Sequence, residues 1–326
     1  MSAVQLIGVD IGGTKCAALL GSWHPESEHM TPGRRISFAT ESARGPQYAI
    51  GRIVESIEEL LREAPDAPKA IGISCGGPLD SARGLVLSPP NLPGWDELPI
   101  AAQLSERFGL PARLQNDANA CALAEHRFGA GRGARHMIFL TFGTGMGAGL
   151  ILNNALYEGA CGMAGEIGHL RLAPMGPVGF GKAGSFEGFC SGGGIAQLAR
   201  LRALERLQVG APVGFCPTMA DLDGLSARAV ALAADAGDPL ALAVYEECGR
   251  WLGQGLSLLM DAFNPERIVI GSIFARAGHL LWPEAARVIE AEAIPLNRAA
   301  CQIVPAALGE QIGDYAALAI AADAVR

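Results

Sequence analysis

Two stretches about 130 residues apart repeat one design. VQLIGVDIGGTKCAALLG (Val4 to Gly21) and HMIFLTFGTGMGAGLILN (His136 to Asn153) each run from a short apolar segment through a Gly/Thr turn into a second apolar segment. Glycine permits positive φ, and the flanks are rich in residues that suit a half-buried pleat. Each stretch therefore predicts strand, tight turn, strand. A hairpin repeated at that separation predicts two related lobes, each opening on a glycine turn the size of a phosphate. At 326 residues the chain is long enough to give each lobe its own core.

Between and beyond the hairpins, strands alternate with helices. AIGRIVESIEELLREA (Ala49 to Ala64) sets Ile50, Ile53, Ile57, Leu60 and Leu61 on one helical face. AIGISCGGPLD (Ala70 to Asp80) reads as a buried strand entering a Gly-Gly-Pro turn, and SPPNLPGWDELP (Ser88 to Pro99) as a loop, because proline suits neither helix interior nor central strand. Ala118 to Phe128, Ile195 to Leu207, Pro239 to Phe263 and Tyr315 to Val325 are predicted helices, and ERIVIGSIF (Glu266 to Phe274) a late strand. That alternation is α/β.

Composition excludes several functions. Half the residues are apolar, 18% are charged and the formal charge is −8, with no basic patch. Nucleic acid and anionic membrane are therefore not expected as partners. No run of about 18 apolar residues occurs, as a membrane span would need. The start MSAVQLIGVD lacks a basic segment and reaches Asp10 too early for a signal peptide. Eight cysteines stand singly, without a C-x-x-C pair, as expected of reduced thiols in a cytoplasm.

Three glycine-rich segments compete as nucleotide sites. GPVGFGKA (Gly176 to Ala183) fits G-x-x-x-x-G-K-[ST] except at Ala183, which has no hydroxyl for Mg²⁺, and APMGP ahead of it makes no strand. GTGMGAG (Gly143 to Gly149) is followed by LILN, which continues a strand instead of opening the helix that a dinucleotide fingerprint requires. The two hairpin turns offer runs of backbone N–H groups, with Thr14 and Thr144 as hydroxyl donors. Such turns cradle phosphate without a Walker lysine. Asp10, at the end of the first strand, suits Mg²⁺ or its waters, or else caps the turn through its own side chain. Asn116 and Asp117 stand where a helix N-cap belongs. Glu166 and His169 are three residues apart in AGEIGHL, and with Glu187 they could ligand a metal or grip a polyol.

DIGGTK (Asp10 to Lys15), SPPNLPGW (Ser88 to Trp95), QNDANACALAE (Gln115 to Glu125), FGTGMGAGLILN (Phe142 to Asn153) and GEIGH (Gly165 to His169) together resemble the ROK family of sugar kinases and sugar-responsive repressors. The resemblance implies an α/β fold of the actin/hexokinase (ribonuclease H-like) type with ATP and sugar between two lobes, and a homodimer. The small lobe would be residues 1–116 with about 308–326, the large one 117–307. It implies an ATP:hexose phosphotransferase of the glucokinase type, using ATP and Mg²⁺ on a hexose or N-acetylhexosamine, at the 6-OH. Asp117 would be the general base. Gly77, Asn116, Glu166, His169 and Glu187 would bind sugar, and Asp10, Gly12, Gly13, Thr14, Lys15, Gly143, Thr144, Gly145, Gly147 and Gly271 would hold ATP, with Mg²⁺ at Asp10.

One segment departs from the family. Where many members read C-x-C-G-x-x-G-C-x-E and hold zinc with the GEIGH histidine, this chain has Val178, Phe180 and Ser185 at the cysteine positions. These supply no thiolate or imidazole, so no zinc is expected. The loop is expected to be pinned by Val178 and Phe180 packing inward, and His169 to be oriented by another hydrogen bond. The alternatives to a kinase are a non-catalytic sugar sensor and a sugar-responsive regulator. The latter is disfavoured because the first phosphate turn begins at Gly8, without room for a helix-turn-helix ahead of it.

Overall fold

The apolar alternation of Val4 to Gly21 folds as the predicted hairpin. β1 (Val4–Ile11) and β2 (Lys15–His24) pair antiparallel, with Asp10 opposite Ala17. β3 (His29–Ala39) extends the sheet from β2. Next come α1 (Pro46–Glu63), β4 (Ile71–Cys75), the short strands β5 (Leu79–Asp80) and β6 (Leu85–Val86), and α2 (Ile100–Phe108). β7 (Ala112–Asn116) passes directly into α3 (Asp117–Phe128). The second hairpin is β8 (Met137–Phe142) and β9 (Met146–Leu152), followed by β10 (Ala155–Tyr157). β11 (Val178–Gly179) and β12 (Lys182–Ala183) form a minimal hairpin before α4 (Phe186–Phe189) and α5 (Gly192–Gln208). The chain closes with α6 (Ala227–Asp235), α7 (Pro239–Phe263), β13 (Arg267–Ile270), α8 (Ile273–Glu292), α9 (Pro295–Ala300), β14 (Gln302–Pro305) and α10 (Ile312–Asp323).

This is a computed structural model, and it describes residues 3–325. Met1, Ser2 and Arg326, at the outer bounds of the expected small lobe, lie outside the described residues. The chain divides into two units, Met1–Ala134 with Gly149–Ala164 and Ala307–Arg326, and Arg135–Ala148 with Gly165–Ala306. The two five-stranded sheets run β3-β2-β1-β4-β7 and β10-β9-β8-β13-β14. In each, an antiparallel hairpin is followed by strands parallel to its first member. The repeat read in the sequence is thus a repeat of topology.

α1 buries Ile50, Ile53, Ile57 and Leu60 as its spacing predicts, while Leu61 is half-buried against the same core. α10 packs on β1 and β4 through Ala316 to Ala322, all of them buried. Its approach is possible because position 72 is glycine: a Cβ there would lie 2.1 Å from the Ala317 carbonyl oxygen and 2.4 Å from the Ala321 nitrogen. The late strand is shorter than predicted. It ends at Ile270, Ser272 turns the chain at φ 51°, and Ile273 and Phe274 open α8. An apolar run that crosses such a turn belongs to two elements. Among the described residues no helix is long and apolar enough to cross a membrane.

Candidate active site

The first unit presents a charged glycine turn. Between β1 and β2 every carbonyl of the turn is held: Gly12 O by the Thr40 hydroxyl at 2.6 Å, Gly13 O by the Ser42 hydroxyl at 2.9 Å, Thr14 O by Thr40 N at 3.0 Å and Lys15 O by Gly12 N at 3.1 Å. Among the described residues the N–H groups of Gly13 and Thr14 have no acceptor. A turn fixed by its carbonyls directs its remaining amide dipoles outward, which is how a backbone concavity binds an anion. Thr40 and Ser42 were invisible to sequence reasoning, since only the β2–β3 hairpin carries them back to a turn nearly thirty residues earlier.

Asp10 closes β1 beside this turn. The Arg35 guanidinium reaches it at 3.4 Å and Asp314 at 3.2 Å, so one cation lies between two carboxylates. Burial pushes the Asp10 carboxyl up to about 6; Arg35 and Lys15 pull it down, whereas Asp314 and Asp117 push it further up. Burial likewise raises Asp314, against the pull of Arg35 and Lys15. Its neighbour Gly313 lies against Asp10, 3.4 Å from a carboxylate oxygen to where a Cβ would stand. Neither Arg35 nor Asp314 belongs to a motif, so neither was anticipated. A carboxylate with an exposed edge supplies the oxygen ligand that a hydrated divalent cation takes, so Asp10 fits the expected Mg²⁺.

The same unit holds the Asn116–Asp117 pair. Asn116 is a helix cap, accepting from Ala118 N at 3.0 Å and Asn119 N at 3.4 Å. Its amide nitrogen lies 3.3 Å from where a Cβ on Gly77 would stand, so a glycine at position 77 leaves that donor room. Gly77 precedes Pro78 through a cis peptide. Asp117 Oδ1 accepts from Ala118 N at 2.8 Å, and the residue is exposed. Desolvation pushes its carboxyl upward against the pull of backbone N–H groups, and its exposure to water screens part of that effect. Capping and presenting an acid are therefore performed by one short segment.

The second unit repeats the turn without the charges. Gly143 O accepts from Gly192 N at 2.7 Å, Thr144 O from Gly193 N at 3.4 Å and Gly145 O from Gly143 N at 3.1 Å. The N–H groups of Thr144 and Gly145 have no acceptor among the described residues. Gly147 lies in β9, braced by the Thr141 hydroxyl at 2.8 Å. Glu187 turns one carboxylate oxygen to Met146 N at 2.9 Å. Glu166 and His169 flank a single 3-10 turn, both exposed, and Gly168 between them is needed because a Cβ would lie 2.1 Å from Met146 O. Gly271 ends β13 with its N–H on Leu140 O at 2.9 Å, and the Ser272 hydroxyl lies 3.8 Å from the Cβ position of Gly143. The second-unit residues predicted from sequence are accordingly brought around one hairpin.

The departed loop behaves differently from expectation. Val178 and Phe180 do not pack inward; they are 47% and 75% exposed. The buried aromatic residues of this region are Phe186 and Phe189, the latter stacked on Trp251 at 4.2 Å, and the hairpin is pinned by polar bonds instead. Gln197 holds Val178 N and O, each at 2.9 Å, and the buried Ser185 hydroxyl caps α4 at Gly188 N. His169 is also held otherwise than expected: its ring meets the Phe180 ring edge-on at 6.2 Å, and among the described residues no hydrogen bond reaches a ring nitrogen. Val178 and Phe180 offer no donor and Ser185 is committed to its cap, so these positions do not fit zinc. Lys182 donates to His169 O at 2.7 Å from within a strand-turn-strand, which is not the strand-to-helix frame of a P-loop.

Residues 6–324 match the ROK family. This chain belongs to the ROK family. A glucokinase of Streptomyces coelicolor is 33% identical over 314 residues, 94% of each chain. The crystal structure of a ROK family glucokinase from Streptomyces griseus in complex with glucose and AMPPNP is 32% identical, with TM-score 0.76, over 98% of this chain and 99% of that one. A ROK family transcriptional regulator, a homolog of the Escherichia coli MLC protein, is 25% identical with TM-score 0.82, over 97% of this chain and 77% of the regulator. The fold of this ROK protein is accordingly the actin/hexokinase-like one. Its two glycine hairpins occupy the same place in the strand order of the two sheets.

Proposed function

We propose that the protein is an ATP-dependent sugar kinase that phosphorylates a hexose or N-acetylhexosamine hydroxyl, the 6-OH in the first instance. The observation that carries this reading is the paired turn. Both hairpins spend their carbonyls internally and leave the N–H groups of Gly13, Thr14, Thr144 and Gly145 to an external anion. One such turn is an ordinary feature of many folds; two in equivalent sheet positions suit a polyphosphate. The relatives that carry the name glucokinase support the same activity.

In this reading Asp117 accepts the proton of the sugar hydroxyl, and Asn116 Nδ2, Gly77, Glu166, His169 and Glu187 bind the remaining hydroxyls. Asp10 holds Mg²⁺ or its waters, and the ion neutralises charge on the phosphates when bound. Phosphoryl transfer asks mainly for positioning and electrostatic stabilisation, which the fixed amides supply without reorganisation. Lys15, Gly12, Gly147 and Gly271 complete the nucleotide contacts. A coupled ADP-release assay over a panel of hexoses and N-acetylhexosamines is the test. Turnover with at least one sugar, dependent on Mg²⁺, is expected. Sugar binding by calorimetry without turnover of any of them would make the protein a sensor instead.

A further inference from the structure

Four polar side chains behind the Asn116–Asp117 segment, those of Ser81, Glu158, Gln115 and Asn119, form one connected network that reaches the site through the backbone N–H of Asn116. Glu158 Oε1 accepts from the Ser81 hydroxyl at 2.6 Å and from Gln115 Nε2 at 3.0 Å. Gln115 Oε1 accepts from Asn116 N at 2.8 Å and from Asn119 Nδ2 at 3.2 Å. Asn116 in turn caps α3. Glu158 also closes its own loop, since Ala164 N donates to Glu158 O at 3.0 Å. Three segments therefore meet on one carboxylate: the stretch after Gly77-Pro78, the β7–α3 junction that carries Asp117, and the Glu158–Ala164 loop that leads in sequence to Glu166.

The chemistry of the partners fixes this network in one sense. A carboxylate only accepts, so Glu158 requires the nitrogen of the Gln115 amide to face it. The backbone N–H of Asn116 only donates, so it requires the oxygen of the same amide. Both demands select one orientation, and the amide has no second way to satisfy them. Gln115 and Asn119 are buried, and Asn119 Oδ1 has no hydrogen-bond partner, so Gln115 is what holds the Asn119 amide. A cavity of about 590 Å³ along the edge of β7, lined by Ser81, Arg83, Arg113, Gln115 and Glu158 among others, borders the network on one side.

We propose that Glu158 and Gln115 are positioning residues, which aim Asp117 at the sugar hydroxyl by fixing the amide of Asn116 through the selected orientation of the Gln115 side chain. This rests on the kinase reading above. Neither residue touches substrate; they act through Asn116.

Exchanging the two side chains is the test. Gln115→Glu places a second carboxylate against Glu158 and should lower kcat on the best sugar about tenfold to a hundredfold, as misplacement of a reacting group does, while the KM for ATP stays within about twofold. Glu158→Gln added to it restores a donor–acceptor pair. The amide nitrogen introduced at position 158, taking the place of the oxygen that met both partners, can donate to the new carboxylate and to the Ser81 hydroxyl, which turns to accept; kcat should recover to within about threefold of wild type. If the double variant is no faster than Gln115→Glu, or if Gln115→Glu leaves kcat unchanged, the proposal is overturned. Should Gln115→Glu fail to fold, Glu158→Ala is read by amide exchange, which must quicken at Asn116 and Asn119 relative to the rest of α3; unchanged exchange overturns it equally. If the wild type turns over no sugar, the kinase reading falls on its own, and the exchange measurement still decides whether the network holds Asn116.

Discussion

The two glycine hairpins use one backbone device in two electrostatic settings. At Gly12–Lys15 the carbonyls are pinned by hydroxyls of Thr40 and Ser42, and Asp10, Arg35, Asp314 and Lys15 crowd around. At Gly143–Gly145 the carbonyls are pinned by backbone N–H groups at the start of α5, and the charge at hand is Glu187, bonded to Met146 N. Both units share outward amides on a turn pinned by its carbonyls, the feature on which the proposed phosphate binding rests. What differs is the charged cluster of Asp10, Arg35 and Asp314, to which the proposed function gives the cation, and which stands beside the first turn. The first turn combines charge with geometry, and the second supplies geometry alone.

The largest effect should follow from removing the acid beside the charged turn. Asp117→Asn keeps the shape and the bond from Ala118 N, and kcat should fall about 10²- to 10⁴-fold with sugar affinity largely retained, as measured by steady-state kinetics beside calorimetry. Wild-type kcat in that variant would erase the division of labour. Next comes the turn itself. A side chain at Gly13 would lie 2.6 Å from Asn91 O, a backbone atom that cannot swing aside, so Gly13→Val should lower kcat/KM for ATP about a hundredfold. A loss this large confined to sugar KM would place the phosphates elsewhere.

A smaller change sharpens the role of the second turn. Glu187→Gln retains an acceptor for Met146 N, so ATP KM should hold while sugar KM rises about tenfold through loss of one charged hydrogen bond. A rise in ATP KM instead would assign Glu187 wholly to the hairpin. The smallest effect is on stability and comes from Asp10. Its carboxyl titrates near 6 in the folded chain against an ordinary value of 3.8, so the folded state holds its proton more tightly and loses stability as pH rises from about 4 to about 6. Asp10→Asn removes that loss. After allowance for solvent screening, melting should rise by about 2 °C at pH 7.5 and by nothing at pH 4. An equal shift at both values would mean that Asp10 is not the titrating group.

Much of this was legible in the sequence. The hairpins, α1, α7 and the Asn116 cap follow from periodicity, glycine placement and cap chemistry, all of which act over a few residues. What escaped was set by distant chain. Arg35 and Asp314 meet beside Asp10 only because β3 extends the sheet from β2 and α10 packs on β1, and Ser81 and Gln115 meet Glu158 from distant segments. The outward turn of Val178 and Phe180 was missed for a related reason. Hydrophobicity says that a residue can be buried, yet in this segment Phe186 and Phe189 are the ones buried and Val178 and Phe180 face outward. Ser272 broke the late strand because a single positive φ is not announced by a serine.

Amide chemical shifts on titration with a non-hydrolysable ATP analogue, in the presence of Mg²⁺ and sugar, address the paired turns most directly. Large perturbations at Gly13, Thr14, Thr144 and Gly145 are the expected result. Perturbations confined to Gly176–Ala183 and Lys182, with those four amides unmoved, would contradict it.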